Sequence, residues 1–227
     1  MRYKSDLFYR LYIRWMMASS PAKLFGRLYQ LNWYRRLHEN WVNGLQGHPG
    51  DILLEVGCGP GLLAQYLAKS GYIVEAVDRS KSMIKAAEEN ANVLINNNAQ
   101  LKFSKAEIDE LPFQDGQFDF VIAASVLNIV SNAEAAIEEM KRVLNVGGKI
   151  SFLLPSELMT LDNIQKYSHR KKLRGFSAVA MRSWSKHSSY FDQTQCLELC
   201  ESAQLSAINI ERRLGGMIYS VTAEKTD

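Results

Sequence analysis

The chain has 227 residues, 47% of them hydrophobic and 22% charged. That balance suits one folded domain with its own core and excludes a disordered, fibrous or disulfide-stapled chain. A formal net charge of +3, with no recognisable nucleic-acid-binding module, makes nucleic acid an unexpected partner.

The charge is uneven. The first fifty residues carry eight basic residues against Asp6 and Glu39, and Lys166 to Lys186 holds no acid, while the middle is net acidic. The longest apolar run, Phe120 to Val130, is interrupted by Asn128 and too short for a membrane span of about 20 residues. Arg10 and Arg14 break up any signal-peptide core, so a cytoplasmic protein is expected. Cys58, Cys196 and Cys200 show no CxxC spacing and read as buried small residues, and no metal site is expected.

Residues 1–50 read as two helices. The first carries Leu7, Phe8, Leu11, Tyr12, Trp15 and Met16 on one face, with Lys4, Arg10 and Arg14 turned elsewhere. Ser20 is the expected N-cap of the second, with Pro21 at its first position, and that helix is expected to reach about Val42.

From Asp51 onward, strands alternate with helices. Strands are expected at Ile52–Val56, Tyr72–Val77, Leu101–Ser104, Phe118–Ala124 and Lys149–Leu154, with helices near Leu62–Lys69, Ser82–Asn90 and Ala133–Leu144. Such alternation predicts a parallel sheet with helices on both faces, an α/β fold. A helix at Gln193–Ala203, strands near Leu205–Glu211 and Met217–Ala223, and the turn Gly215-Gly216 predict an antiparallel closing hairpin.

The first strand runs straight into Gly57-Cys58-Gly59-Pro60-Gly61 and then a helix. Glycines there let the backbone approach a ligand, and the helix N-terminus offers free N–H groups, so a nucleotide-like cofactor is expected. A dinucleotide fingerprint would put its third glycine at position 62, which is Leu62. The second strand ends at Asp78, where a carboxylate can accept from both hydroxyls of a ribose.

The GxGxG loop with Glu55, the segment Val77-Asp78-Arg79-Ser80-Lys81-Ser82-Met83, the run Ala106-Glu107-Ile108-Asp109-Glu110-Leu111-Pro112-Phe113, the strand Gln117 to Ala124 and the later Arg142 to Lys149 resemble, in order, the landmarks of class I S-adenosylmethionine-dependent methyltransferases of the small-molecule type. The resemblance covers roughly Ile52 to Leu154. It implies a Rossmann-like, mostly parallel seven-stranded sheet, with S-adenosylmethionine as methyl donor. It also implies cofactor contacts from Glu55, Gly57, Cys58, Gly59, Gly61, Asp78, Arg79, Met83, Glu107, Ile108, Ala124 and Ser125. Asn128 stands where many members of this family have a histidine, and Val146 where a proline is common.

Under this resemblance residues 1–50 form a helical lid on a methyltransferase domain, 51–227, whose insertion 155–191 helps form the acceptor pocket. His169, His187, Tyr167 and Tyr190 are the base candidates there. The expected acceptor is a small molecule, largely apolar, and the oligomeric state is left open. A basic amphipathic first helix also permits peripheral contact with an anionic membrane, suiting a lipid or quinone acceptor. A non-catalytic cofactor-binding module and a nicotinamide dehydrogenase are the other readings.

Overall fold

The computed structural model describes residues 2–96, 100–187 and 189–227. It begins with α1 (Arg2–Ser19), α2 (Pro21–Tyr29) and α3 (Asn32–Asn43). There follow β1 (Ile52–Val56), α4 (Leu62–Lys69), β2 (Ile73–Asp78), α5 (Lys81–Asn96) and β3 (Leu101–Lys105). Next come β4 (Phe118–Ala124), α6 (Ala133–Val143), β5 (Leu144–Pro155), α7 (Leu161–Arg170) and α8 (Gly175–His187). The chain closes with α9 (Gln193–Ser202), β6 (Ser206–Arg213), a 3-10 turn at Leu214–Gly216 and β7 (Ile218–Glu224).

The sheet has seven strands in the order β3-β2-β1-β4-β5-β7-β6. β1 pairs in parallel with β2 and β4, and β7 runs antiparallel to β5 and β6. The expected α/β class, mostly parallel sheet and antiparallel closing hairpin are therefore observed. Strand order reverses between β1 and its two neighbours, which opens a crevice at their carboxyl ends, where ligands of such sheets bind.

Alternate residues of β1 serve opposite layers. Leu53 joins the side chains of α3 and α4 in one core, and Leu54 and Val56 join α6 and α9 in the other. A buried polar chain crosses the first of these faces. The Trp41 indole N–H donates to the Ser151 hydroxyl (2.9 Å), which donates onward to the Val221 carbonyl (2.7 Å). Every donor in it is satisfied, as burial demands.

Three expectations need correcting. The second helix is broken at Gln30 and Leu31 into α2 and α3, and the Ser20 hydroxyl caps nothing, although Pro21 does open α2. β5 begins at Leu144, because Leu144 pairs with Phe118 and Gly147, at φ 78°, absorbs a register shift that looks like a turn in sequence. In α1, the side that packs is Tyr9, Tyr12, Ile13 and Met16 against Leu24, Phe176 and Val179, so only Tyr12 and Met16 of the expected face turn inward. Leu7, Phe8, Leu11 and Trp15 lie outside it, 59–61% exposed. An 18-residue helix apolar on two sides has no periodicity that selects one of them.

The insertion between β5 and α9 is clasped at its base. The Phe191 N–H donates to the Pro155 carbonyl (2.9 Å) and the Glu157 N–H to the Phe191 carbonyl (3.1 Å). α7 and α8 thus stand on the sheet's carboxyl edge beside α1 and α3, with Tyr9 against Gly175 and Trp33 bonded to Ser177 (3.0 Å).

Candidate functional site

The turn after β1 is built by glycine geometry. Gly57, Gly59 and Gly61 have φ of 76°, 52° and 73°, in the left-handed region that favours glycine. A Cβ on Gly57 would collide with the Val126 side chain, and one on Gly61 would press on Phe103 and Ala87. A Cβ on Gly59 would meet nothing within 4 Å, so its backbone faces open space. Gly57 locks the turn onto the loop after β4, Gly61 seats α4, and Gly59 leaves room for a ligand.

Asp78, half-buried at the tip of β2, is aimed by two backbone amides. Its Oδ2 accepts from the Gly59 N–H and its Oδ1 from the Ser80 N–H, both at 2.9 Å. Each carboxylate oxygen keeps a lone pair toward the crevice. The Ala106 N–H donates to the Asp78 carbonyl (3.3 Å), bringing the segment with exposed Glu107 and half-buried Ile108 alongside. Arg142 holds the far end of that segment by donating to the carbonyls of Leu111 (3.0 Å) and Phe113 (2.9 Å). Arg79 is exposed just beyond Asp78, and Met83 is buried in the first turn of α5.

Glu55 is the electrostatic oddity of the site. It is 3% exposed, and one carboxylate oxygen, Oε2, has no hydrogen-bond partner. Burial, then the nearby charge of Asp78, pushes its pKa up to about 8, against the opposing bond from the Ala64 amide at the start of α4. An orphaned buried carboxyl beside an open glycine turn is a place where a cation completes the bonding. The Cys58 thiol is buried and its pKa is raised by burial, so it is an inert part of the turn.

On the other side of β1, Ala124 ends β4 and Ser125 adopts φ 55°, its N–H donating to the Leu153 carbonyl (2.9 Å). A left-handed serine at a sheet's carboxyl edge is the kind of strain that collects at binding sites. Asn128, 6% exposed and three residues after Ser125, has an unpartnered Oδ1.

Sequence reasoning missed the cluster that α2 and α3 bring to Glu55. The His38 ring lies 4.4 Å from Tyr34 and 6.1 Å from Tyr29; burial raises the pKa of both tyrosines, followed by the charge of Glu55 for Tyr34 and by those of Glu39 and then Glu55 for Tyr29. His38 is 5% exposed, and its Nδ1 is 2.8 Å from the Tyr34 carbonyl. A carbonyl only accepts, so Nδ1 carries the proton and Nε2 is the ring's acceptor. Burial lowers its pKa to about 4, the Tyr34 bond opposing. The i, i+4 pair Tyr34 and His38, one turn before Trp41, is the pattern of a buried helix face.

The expected base candidates lie elsewhere. His169 is exposed on α7, Tyr190 is 64% exposed, and the side chain of His187 lies outside the described residues. Tyr167 lines a cavity of about 470 Å³ between α3, the α7–α8 insertion and the end of β6. Its wall includes Trp33, Arg36, Leu37, Lys171, Leu173 and Arg212.

Residues 54–152 match a family model described as a methyltransferase domain. The ubiquinone biosynthesis O-methyltransferase of Rickettsia bellii is 28% identical over 208 residues, covering 88% of this chain and 80% of that protein. Among solved structures, the magnesium protoporphyrin IX methyltransferase of Synechocystis, with bound S-adenosylhomocysteine, superposes at a TM-score of 0.67 with 16% identity, over 95% of this chain and 99% of that one. A phosphoethanolamine N-methyltransferase of Haemonchus contortus, in complex with S-adenosylmethionine, gives 0.70 with 13% identity, over 95% and 60%. The strand order, the glycine turn with its aimed Asp78 and the matched segment agree: residues 54–152 are a methyltransferase domain in a sheet with the class I S-adenosylmethionine-dependent methyltransferase fold.

Proposed function

We propose that the chain methylates a small-molecule acceptor, largely apolar, by in-line displacement, with residues 1–50 as a lid over a transferase domain and 155–191 forming part of the acceptor pocket. The observation that carries this reading is the unpartnered, buried Glu55 carboxyl beside the open Gly59 turn and Asp78. The residues fit the donor: Glu55 toward its ammonium, Asp78 toward the ribose hydroxyls, Met83 and Ile108 around the adenine, Glu107 toward the adenine amino group. The backbone of Gly57, Cys58, Gly59, Gly61, Ala124 and Ser125 fits the methionine portion, with Arg79 at the rim. Bound S-adenosylmethionine supplies a methyl group activated on a sulfonium.

The protein's part is alignment and exclusion of water. Holding the acceptor in line contributes roughly 7–11 kcal/mol in favourable cases. An acceptor that must lose a proton needs a base; buried His38, with Nε2 as the ring's acceptor, is a candidate beside Tyr167, whereas His169 and Tyr190 are exposed. Transfer of labelled methyl from S-adenosylmethionine into extract fractions sorted by polarity tests the reading, with label expected in apolar fractions. No label in any fraction, with S-adenosylhomocysteine still bound, would instead make the chain a cofactor-binding module.

A second reading, a membrane-associated enzyme acting on a lipid or quinone, is favoured by the outer face of α1. There Leu7, Phe8, Leu11 and Trp15 are exposed beside exposed Arg10 and Arg14. The Rickettsia relative's name points the same way. No described helix is long and apolar enough to cross a membrane, so the contact would be peripheral. Cosedimentation with anionic vesicles, weakened by salt and by Trp15→Glu, is the expected result; indifference to vesicles removes this reading.

A further inference from the structure

We infer that the cavity between α3, the α7–α8 insertion and the β6 end binds an oxyanion, and that this oxyanion is the charged end of the acceptor. The inference rests on the methyl-acceptor reading above and narrows it to an anionic amphiphile, an apolar body carrying a phosphate or carboxylate.

Four cations, Arg36, Lys171, Arg212 and Arg213, line this cavity, and no carboxylate does. Two of them are ion-paired: Arg212 with Glu157 and Arg213 with Glu211, each at 2.6 Å. Among the described residues, Arg36 and Lys171 make no ion pair. Their neighbours do find partners. Arg35 reaches Glu39 (3.8 Å), Lys166 reaches Asp162 (2.6 Å), and Arg170 lies 5.5 Å from the centre of the Tyr167 ring. Of the four lining cations, Arg36 and Lys171 are thus the two without a carboxylate partner among the described residues.

The site is also shaped. Gly215, at φ 71°, lets the Tyr167 ring close on the hairpin turn, since a Cβ there would stand 3.0 Å from it. Trp33, Leu37 and Leu173 then give the cations a low-dielectric wall, which strengthens their field at the mouth. Arginine's planar fork and lysine's point charge together suit an oxyanion, while the apolar wall suits a hydrocarbon body. Trp33 on this wall lies edge-on to Tyr34, ring centres 5.5 Å apart, and Tyr34 lies 4.4 Å from the tilted His38 ring.

The test uses hexyl phosphate, hexanoate and hexanol as probes in calorimetry with the whole chain. Hexyl phosphate is expected to bind at least about tenfold more tightly than hexanol, and to lose about tenfold or more in the double variant Arg36→Ala, Lys171→Ala. Hexanoate binding like hexyl phosphate would make charge alone the determinant, within the inference; a marked preference for one identifies the acceptor's charged group. S-adenosylhomocysteine binding should be unchanged in the double variant, which shows that the fold survives. The conservative variant Lys171→Arg should keep the phosphate affinity. Equal binding of hexanol and hexyl phosphate, or unaltered phosphate affinity in the double variant, overturns the inference. Failure of wild-type chain to bind S-adenosylhomocysteine would strike the donor reading instead, leaving the anion result to be judged by its own arms.

Discussion

Replacing Asp78 with alanine is expected to weaken S-adenosylhomocysteine binding by about 100-fold or more, measured by calorimetry. Hydrogen bonds to a charged group contribute roughly 1.5–3 kcal/mol each, and Asp78 has one free lone pair on each oxygen for a ribose hydroxyl. The substitution also releases the Gly59 and Ser80 amides that aim the carboxylate, so the turn loses its link to β2. Asp78→Asn retains one accepting oxygen and should fall between the two. Dehydrogenases use an acid at the same place, so NAD must be titrated in parallel. Wild-type affinity for S-adenosylhomocysteine in the micromolar range with no matching affinity for NAD is expected. An alanine variant that binds as wild type would sink the ribose role; tight NAD binding would sink the donor assignment.

The parts of this architecture that could be read in sequence are those set by neighbours in sequence. β1, the glycine turn and α4 have the expected bounds, Ile52–Val56 and Leu62–Lys69, because an apolar run, three glycines and an amphipathic run follow without ambiguity. The hairpin of β6 and β7 follows from Gly215-Gly216 between two alternating runs. What could not be read depends on three-dimensional neighbours. α1 has two apolar sides, and only the presence of Phe176 and Val179 on α8 selects Tyr9, Ile13 and Met16 as the inner one. The break at Gln30 and Leu31 has no proline or glycine to announce it.

The candidate site divides in the same way. Gly57 to Gly61 and Asp78 are close in space because β1 and β2 are paired, a consequence of the βαβ pattern itself. Tyr29 and Tyr34 come near Glu55 only because α2 and α3 fold back over the sheet, and no spacing along the chain encodes that. Of the expected bases, His169 lies on the outside of α7, whose inner face belongs to Ile164, Tyr167 and Ser168, and Tyr190 is exposed beyond α8.

The opposed pKa shifts of Glu55 and His38 predict a characteristic stability profile for the cofactor-free protein. Glu55 titrates near pH 8 when folded and 4.5 when unfolded, so between those values the folded state holds a proton the unfolded state has lost, and stability falls as pH rises. His38 titrates near 4 when folded and 6.5 unfolded, so between those values the unfolded state holds the extra proton, and stability rises with pH. From pH 4.5 to 6.5 the two slopes oppose and this pair adds almost nothing to the pH dependence. From 6.5 to 8 Glu55 acts alone, and urea denaturation should show a loss of about 1.4 kcal/mol per pH unit, about 2 kcal/mol in all. Glu55→Gln should abolish that loss, and His38→Phe should start the decline at 4.5, because nothing then opposes Glu55. A cationic ammonium against the orphaned oxygen favours the ionised carboxyl, so binding of S-adenosylhomocysteine near pH 7 should release close to one proton, read from calorimetric heats in buffers of different ionisation enthalpy. A profile flat from 6.5 to 8 in the wild-type chain, matching Glu55→Gln, would mean that Glu55 is already ionised in the free protein and that the crevice is wetter than its burial implies.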